Sequence, residues 1–329
     1  MTDETKPTER SHENQIEIDA PPRDVWRALS EGEELARWFA VAAEVEPGVG
    51  GRWKVSWDES PVQDLGKIAV WEPAQKLRLV HERKGPSDEP VMLATDFEIE
   101  AIEGGHTRLR VVASGFTTDA MWDGEFEGTK NGWAVFLRNL RYYLEHHRGQ
   151  PCTSVGLPWP SHLDRADAFA RVFGPAGVLD CGGQPLIEGN TLELHSAWGE
   201  RFQATIDMAR GDAMLGLVIG DMRAAPGATH HDTSLGLFDE GFVASACSTP
   251  GTAALRLRAL AENPGARSRA GLRHGLLVRA EFVPMSRGGL FIHMMLLAWG
   301  EARERLPELQ AKLGAALAER LPQAQEPEA

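Results

Sequence analysis

The chain has 329 residues, 42% hydrophobic and 25% charged, with 34 Lys and Arg against 48 Asp and Glu and a formal net charge of -14. That length suits two ordinary domains, each with its own core, while the acidic balance repels phosphate backbones and argues against nucleic-acid binding. No apolar run approaches the ~20 residues of a membrane span, and the polar start MTDETKPTERSHEN lacks the apolar core of a secretion signal, so a cytoplasmic protein is expected.

Residues 1–13 are expected to be disordered, and Ile16 to Asp19 reads as a short strand. Pro21-Pro22 opens a helix, since a missing N–H costs nothing in a first turn; Val25, Trp26 and Leu29 follow at helical spacing. Glu33 to Phe39 forms a second short helix with Leu35, Trp38 and Phe39 on one face. After the turn PGVGG, the run RWKVSW places Trp53, Val55 and Trp57 on one side of a half-buried strand. Alternation continues in GKIAVWEP, KLRLVHE, VMLATDFEIEAI and TRLRVVASGF, which read as antiparallel hairpins and a meander. The acidic loop with Asp123, Glu125 and Glu127 precedes a long amphipathic helix, NGWAVFLRNLRYYLEHHRG, with Trp133, Phe136, Leu137, Leu140 and Leu144 on its apolar stripe.

The Pro-, Gly- and Ser-rich segment at 149–161 reads as a linker. Beyond it, SHLDRADAFARVFG is an amphipathic helix with Ser161 as its cap. NTLELHSAW, ERFQATIDMA, AMLGLVIGDM, TSLGLFD, GFVASACS, TAALRLRALA and LLVRAEFV read as strands, and a closing helix spans about Phe291 to Leu321 with a kink at Pro307. Residues 322–329 are expected to form a disordered tail.

The combination APPRDVWRALSEGEELARWF, then GG-R-W opening a strand, then T-x-L-x-V-x-x-S-G-F, then GW-x-x-x-L-x-x-L resembles the helix-grip (SRPBCC) superfamily of START and Bet v allergen proteins. Within it the chain is most similar to the branch of the activator of the heat-shock protein 90 ATPase, over residues 14–147. The resemblance implies an α+β domain at 14–148, in which a curved antiparallel sheet wraps a long C-terminal helix around a cavity. Order of elements alone makes 162–321 a second, degenerate helix-grip domain in tandem; an unrelated α+β domain is the other reading. In the first domain Trp38, Phe39, Trp53, Trp71, Phe116, Trp122, Trp133 and Phe136 are the expected cavity wall, although aromatic residues equally fill an ordinary core.

Catalytic signals are sparse. The polar residues set among apolar strand positions or near the cavity mouth are His81, Thr95, Asp96, Arg110, Asp123 and Glu125, of which His81, Asp96 and Asp123 are the weak acid–base candidates. No zinc-protease, nucleophile-elbow, phosphate-loop or dinucleotide motif occurs. Cys152, Cys181 and Cys247 are odd in number and far apart, and the pairs His146-His147 and His230-His231 diverge on a helix, so no metal and no other cofactor is expected.

Three functions follow from the resemblance. The first is binding of an apolar small molecule or lipid without defined catalysis. The second is a chaperone cofactor acting on the heat-shock protein 90 ATPase, which the ~15 polar residues ahead of the matching domain disfavour, since activators carry a further N-terminal domain. The third is a cyclase- or hydrolase-like enzyme using the same cavity. Oligomeric state and ligand identity leave no mark in the sequence.

Overall fold

Charge patterning conceals the first strand. The computed structural model describes residues 9–57, 63–85, 87–223, 275–285 and 289–322, and β1 (Glu9–Ile18) starts well before Ile16, within the stretch expected to be disordered. Its outward side chains are paired rather than apolar: Glu13 with Arg110 at 2.6 Å and Glu17 with Arg108 at 2.9 Å. Its inward positions include His12 and Asn14, whose amide donates to the Lys130 carbonyl at 3.1 Å.

The other early elements follow the reading closely. Helix α1 (Pro22–Ser30) has proline in its first turn, and α2 (Gly32–Leu35) is shorter than expected, with Trp38 and Phe39 on the turn beyond it. Gly32 has no room for a side chain, since a Cβ there would lie 2.6 Å from the Ala43 carbonyl oxygen. Strands β2 (Ala42–Val45), β3 (Arg52–Ser56), β4 (Gln63–Glu72), β5 (Lys76–Lys84), β6 (Pro90–Ala101) and β7 (Thr107–Thr117) complete a seven-stranded antiparallel sheet in the order β1-β7-β6-β5-β4-β3-β2. Helix α3 (Asp123–Tyr142) crosses it and ends in a wider π turn, Tyr143–His147. The acidic segment is therefore the first turns of the helix and not a loop. Gly124 and Gly128 mask its helical character, whereas Asp123 and Glu125 suit the positive end of the helix dipole.

The second half repeats this plan. Its elements are β8 (Cys152–Ser161), α4 (Arg165–Phe173), β9 (Leu179–Asp180), β10 (Thr191–Ser196), β11 (Arg201–Arg210), β12 (Met214–Arg223), β13 (Leu276–Pro284), β14 (Leu290–Trp299) and α5 (Ala302–Arg320). The strand order, β8-β14-β13-β12-β11-β10-β9, is that of the first sheet: the opening strand pairs with the last and the rest form a meander. Each half is thus a seven-stranded antiparallel sheet with its own helices.

Three expectations need correction. The segment read as a linker is β8, an edge strand paired with β14 from Cys152↔Trp299 to Ser161↔Leu290; prolines are tolerated at such an edge, which is why it reads as a linker. The closing helix from Phe291 is instead strand β14, a turn at Gly300 and α5, with Pro307 inside α5. The cap of α4 is Asp164, which accepts from the Asp167 N–H at 2.8 Å, while Ser161 donates to the Pro322 carbonyl at 3.2 Å. The strand runs TSLGLFD, GFVASACS and TAALRLRALA lie outside the described residues, as do Cys247, His230-His231 and 323–329.

Strand β14 is illegible as a strand because both of its faces are covered. Leu290, Ile292, Met294, Leu296 and Ala298 face α4 and α5, whereas Leu297 and Trp299 join the core of the first half with Trp38 and Leu140. Helix α3 thus lies between two sheets. One stripe, with Trp133, Leu137 and Leu140, meets the first sheet, and Val135 meets Met208 and Met214 of the second. Trp299 stacks on His147 with ring centroids 5.3 Å apart, and its indole N–H donates to the Arg37 carbonyl at 3.0 Å.

A buried ion pair fixes the same junction. Arg279, on β13, is 1% exposed; its two Nη atoms donate to the carboxylate of Asp207 on β11 at 2.7 and 2.8 Å, and its Nε donates to Asn139 Oδ1 of α3 at 2.9 Å. Gly216 on the strand between them is obligatory, since a Cβ there would lie 2.6 Å from Asp207 Oδ1 and 2.7 Å from Arg279 Nη1.

Removing one member of such a pair strands the other charge, so Asp207→Ala is expected to cost about 3–5 kcal/mol by denaturant titration, and the double replacement Asp207→Leu/Arg279→Met to recover most of it. Leu297→Asp tests the shared core. Because Leu297 and Leu140 lie in one cluster, Leu297→Asp and Leu140→Asp should each lower the same unfolding transition by several kcal/mol; two transitions, each sensitive to only one substitution, would contradict this.

Candidate functional site

Indole N–H groups hold the end of the first domain in place. Trp38 Nε1 donates to the Ala28 carbonyl at 3.0 Å, Trp53 Nε1 to Leu29 at 2.9 Å and Trp57 Nε1 to Phe39 at 3.0 Å, so three tryptophans tie α1 and the 36–40 segment to β3. A buried aromatic satisfies its one polar atom while contributing a large apolar surface. Behind them Glu34 is buried but not alone. It accepts from the Tyr143 hydroxyl at 2.5 Å and pairs with Arg37, and burial together with this carboxylate pushes the Tyr143 phenol up to about 12.

Between the first sheet and α3 this framework leaves a cavity of about 390 Å³. Its apolar wall is Phe39, Trp53, Trp57, Leu79, Trp133 and Phe136; its polar lining is His81, Thr95 and Thr129, with Arg83 and Glu125, 3.4 Å apart, as an ion pair. Phe39 stacks on Trp133 at 5.5 Å, with an interplanar angle of 13°, and lies 4.5 Å from Phe136, so the wall is one continuous aromatic surface. Thr95 and His81 share this lining because β5 and β6 are paired in register, Leu79↔Thr95 and His81↔Leu93.

Of the eight aromatic residues expected at the wall, Phe39, Trp53, Trp133 and Phe136 are brought together here. Trp38 sits in the core and borders a second cavity, described below. Trp71 packs edge-on against Trp26 at 4.9 Å and does not line the chamber. Phe116 and Trp122 form a separate small cluster with Val91, Leu93 and Ala113. The acid–base candidates divide in the same way. His81 lines the cavity, but Asp96 points to the opposite face of β6, with Lys76 at 3.2 Å and Arg78 at 3.6 Å, and Asp123 pairs with Arg10 at 2.6 Å at the start of α3. Arg110 lies outside between Glu13 and Glu98. Trp57 was missed, although its alternation with Trp53 and Val55 is the signal that finds it. Among the described residues no group of three His, Cys, Asp or Glu side chains is placed to hold a metal ion, and no helix is long and apolar enough to cross a membrane.

Residues 19–145 match the family model described as Activator of Hsp90 ATPase homolog 1-like protein. Among solved structures, protein MLL2253 from Mesorhizobium loti is 26% identical over 41% of this chain and 97% of its own, with a TM-score of 0.36. The Aha1 dimer from Colwellia psychrerythraea is 24% identical over 43% of this chain and 99% of its own, with a TM-score of 0.34. DynU16, a putative protein in the dynemicin biosynthetic locus, is 15% identical over 94% of this chain and 96% of its own, with a TM-score of 0.35. No curated protein matches the sequence.

The small cluster around Phe116 has a pH signature. His12 stacks on Phe116 at 5.9 Å and meets Phe126 edge-on at 5.2 Å, both of its ring nitrogens are buried without a hydrogen-bond partner, and burial, reinforced by Lys130, lowers its pKa to about 4. The unfolded chain takes up this proton near pH 6.5 and the folded chain only near pH 4. The contribution is therefore complete above pH 6.5 and declines as the pH falls towards 4, by up to about 3 kcal/mol. Denaturant titrations between pH 7 and pH 4 should show a shallower loss of stability for His12→Phe than for the parent; equal slopes would refute the assignment.

Proposed function

We propose that the first domain is a START-like module that binds an apolar small molecule in the chamber between its sheet and α3. The observation that carries this reading is the chamber itself, about 390 Å³ of aromatic-walled space with a few polar groups at one side. Small-molecule sites occupy about 300–1,000 Å³ and have this kind of lining. Water or a ligand must fill the chamber, and rings such as Phe39 and Trp133 offer water nothing to bond.

His81 and Thr95 supply orientation for one polar group of the ligand, and the Arg83–Glu125 pair lies across the rim. The match of residues 19–145 to the family model supports a ligand-binding helix-grip module. No specific contact favours a role as a chaperone cofactor, and a single histidine in the chamber does not distinguish a cyclase or hydrolase from a binding protein.

Ligand binding stabilises the native state by mass action. Native mass spectrometry of the freshly purified chain, followed by thermal shift and tryptophan emission against lipids and aromatic metabolites, is expected to reveal a bound mass or a raised melting temperature. Thr95→Trp, which fills the chamber from β6, should abolish the response while leaving the fold intact. Absence of any co-purified mass and of any shift across the panel would mean that the chamber holds only solvent.

A further inference from the structure

A second cavity, of about 250 Å³, lies where the two halves meet. From the first half it is bordered by Phe39, Trp57 and Phe136, which also wall the first chamber; from the second sheet it is bordered by Ser154, Glu281 and His293. Glu281 on β13 and His293 on β14 are direct cross-strand partners, and His293 is in turn opposite Pro158 on β8. Gly156, also on β8, keeps the space beside the imidazole open, since even a Cβ there would lie 3.3 Å from His293 Nε2.

The charges around this pair are one-sided. Among the described lining residues there is no Lys or Arg, and the titratable groups facing the space are Cys152, Glu281 and His293, all from the second sheet. Burial alone raises the Glu281 carboxyl and lowers the His293 imidazole, and no neighbouring charge contributes to either. Burial also pushes the Cys152 thiol up to about 12, so it remains neutral. An acid in such a place lacks only a counter-charge, and aromatic faces attract cations. An anionic ligand would meet a carboxyl and find no positive partner.

We propose that this second cavity binds an organic cation, an amine borne on an apolar or aromatic body, with Glu281 as its counter-charge. The ammonium group donates to the Glu281 carboxylate and to the unprotonated nitrogen of His293, and Ser154 offers a further hydroxyl. The body lies against the Phe39, Trp57 and Phe136 rings. The site exists only where the halves meet, since its polar end and its aromatic wall come from different sheets, and it is distinct from the chamber under α3.

The test uses the full chain and three probes of similar shape, 2-phenylethylamine, 2-phenylethanol and 3-phenylpropanoate, by calorimetry at neutral pH. The expected result is binding of the amine at least tenfold tighter than of the alcohol or the carboxylate. Glu281→Gln should lower amine affinity at least tenfold and leave alcohol binding unchanged, and Thr95→Trp, which blocks only the first chamber, should leave amine binding intact. Should Glu281→Gln fail to fold, the parent supplies the readout: below neutral pH, amine binding should release protons as Glu281 ionises, seen as a dependence of the heat on buffer. Equal affinity for amine and alcohol, unaltered amine binding in Glu281→Gln, or heats independent of buffer would each overturn the proposal.

Discussion

A guanidinium with no access to water holds the two halves in register. Arg279 reaches Asp207 across Gly216 and Asn139 across the junction, so a β-strand of the second sheet, its neighbour two strands away and the gripped helix of the first domain are joined through one planar group. The geometry of a guanidinium fork allows little tolerance in such an arrangement, and an ammonium could not reproduce it. The desolvation cost of such a pair is high, and well-packed apolar residues often do as well in stability alone. What the pair contributes here is position, because apolar packing of Leu277, Leu297 and Met208 against α3 would accept several registers and the fork accepts one.

This junction changes what α3 is. In a lone helix-grip domain such a helix has one face on its sheet and the other in solvent. Here the second face carries Val135, Asn139 and Tyr142, all buried. The second sheet correspondingly has apolar side chains on both faces, a pattern usual for sheets covered on both sides.

The first sheet was legible in the sequence because one of its faces is charged: strands β5, β6 and β7 show alternation that a reader can count. The second sheet was legible only in part. Runs such as LFIHMMLLAW lose their alternation once both faces are covered, and then resemble a buried helix. Strand β8 was hidden by Pro158 and Pro160, and β1 by ion pairs that replace apolar side chains on its outer face. In the first chamber the aromatic residues near α3 were legible from helical and strand periodicity, but their sorting was not, since Phe116 and Trp122 differ from Phe39 and Trp133 only in which neighbours the folded chain gives them. His293 had a faint signal as the lone polar residue in LFIHMMLLAW, and Glu281 had one with Arg279 in the otherwise apolar LLVRAEFV. Nothing in the sequence tells that β13 and β14 place them opposite each other.

The aromatic wall between the two cavities is built from parts with unequal freedom. Trp57 is tied through its indole to the Phe39 carbonyl, and Phe39 is held by the turn after α2. Phe136 has no polar anchor and is held by ring packing alone, 4.5 Å from Phe39 and 6.1 Å from Trp133; a methyl group at Gly132, one turn earlier on the helix, would sit in ordinary contact with its ring at 3.6 Å. The two cavities therefore have one wall in common, and any change in the Phe136 side chain would alter the shape of both at once.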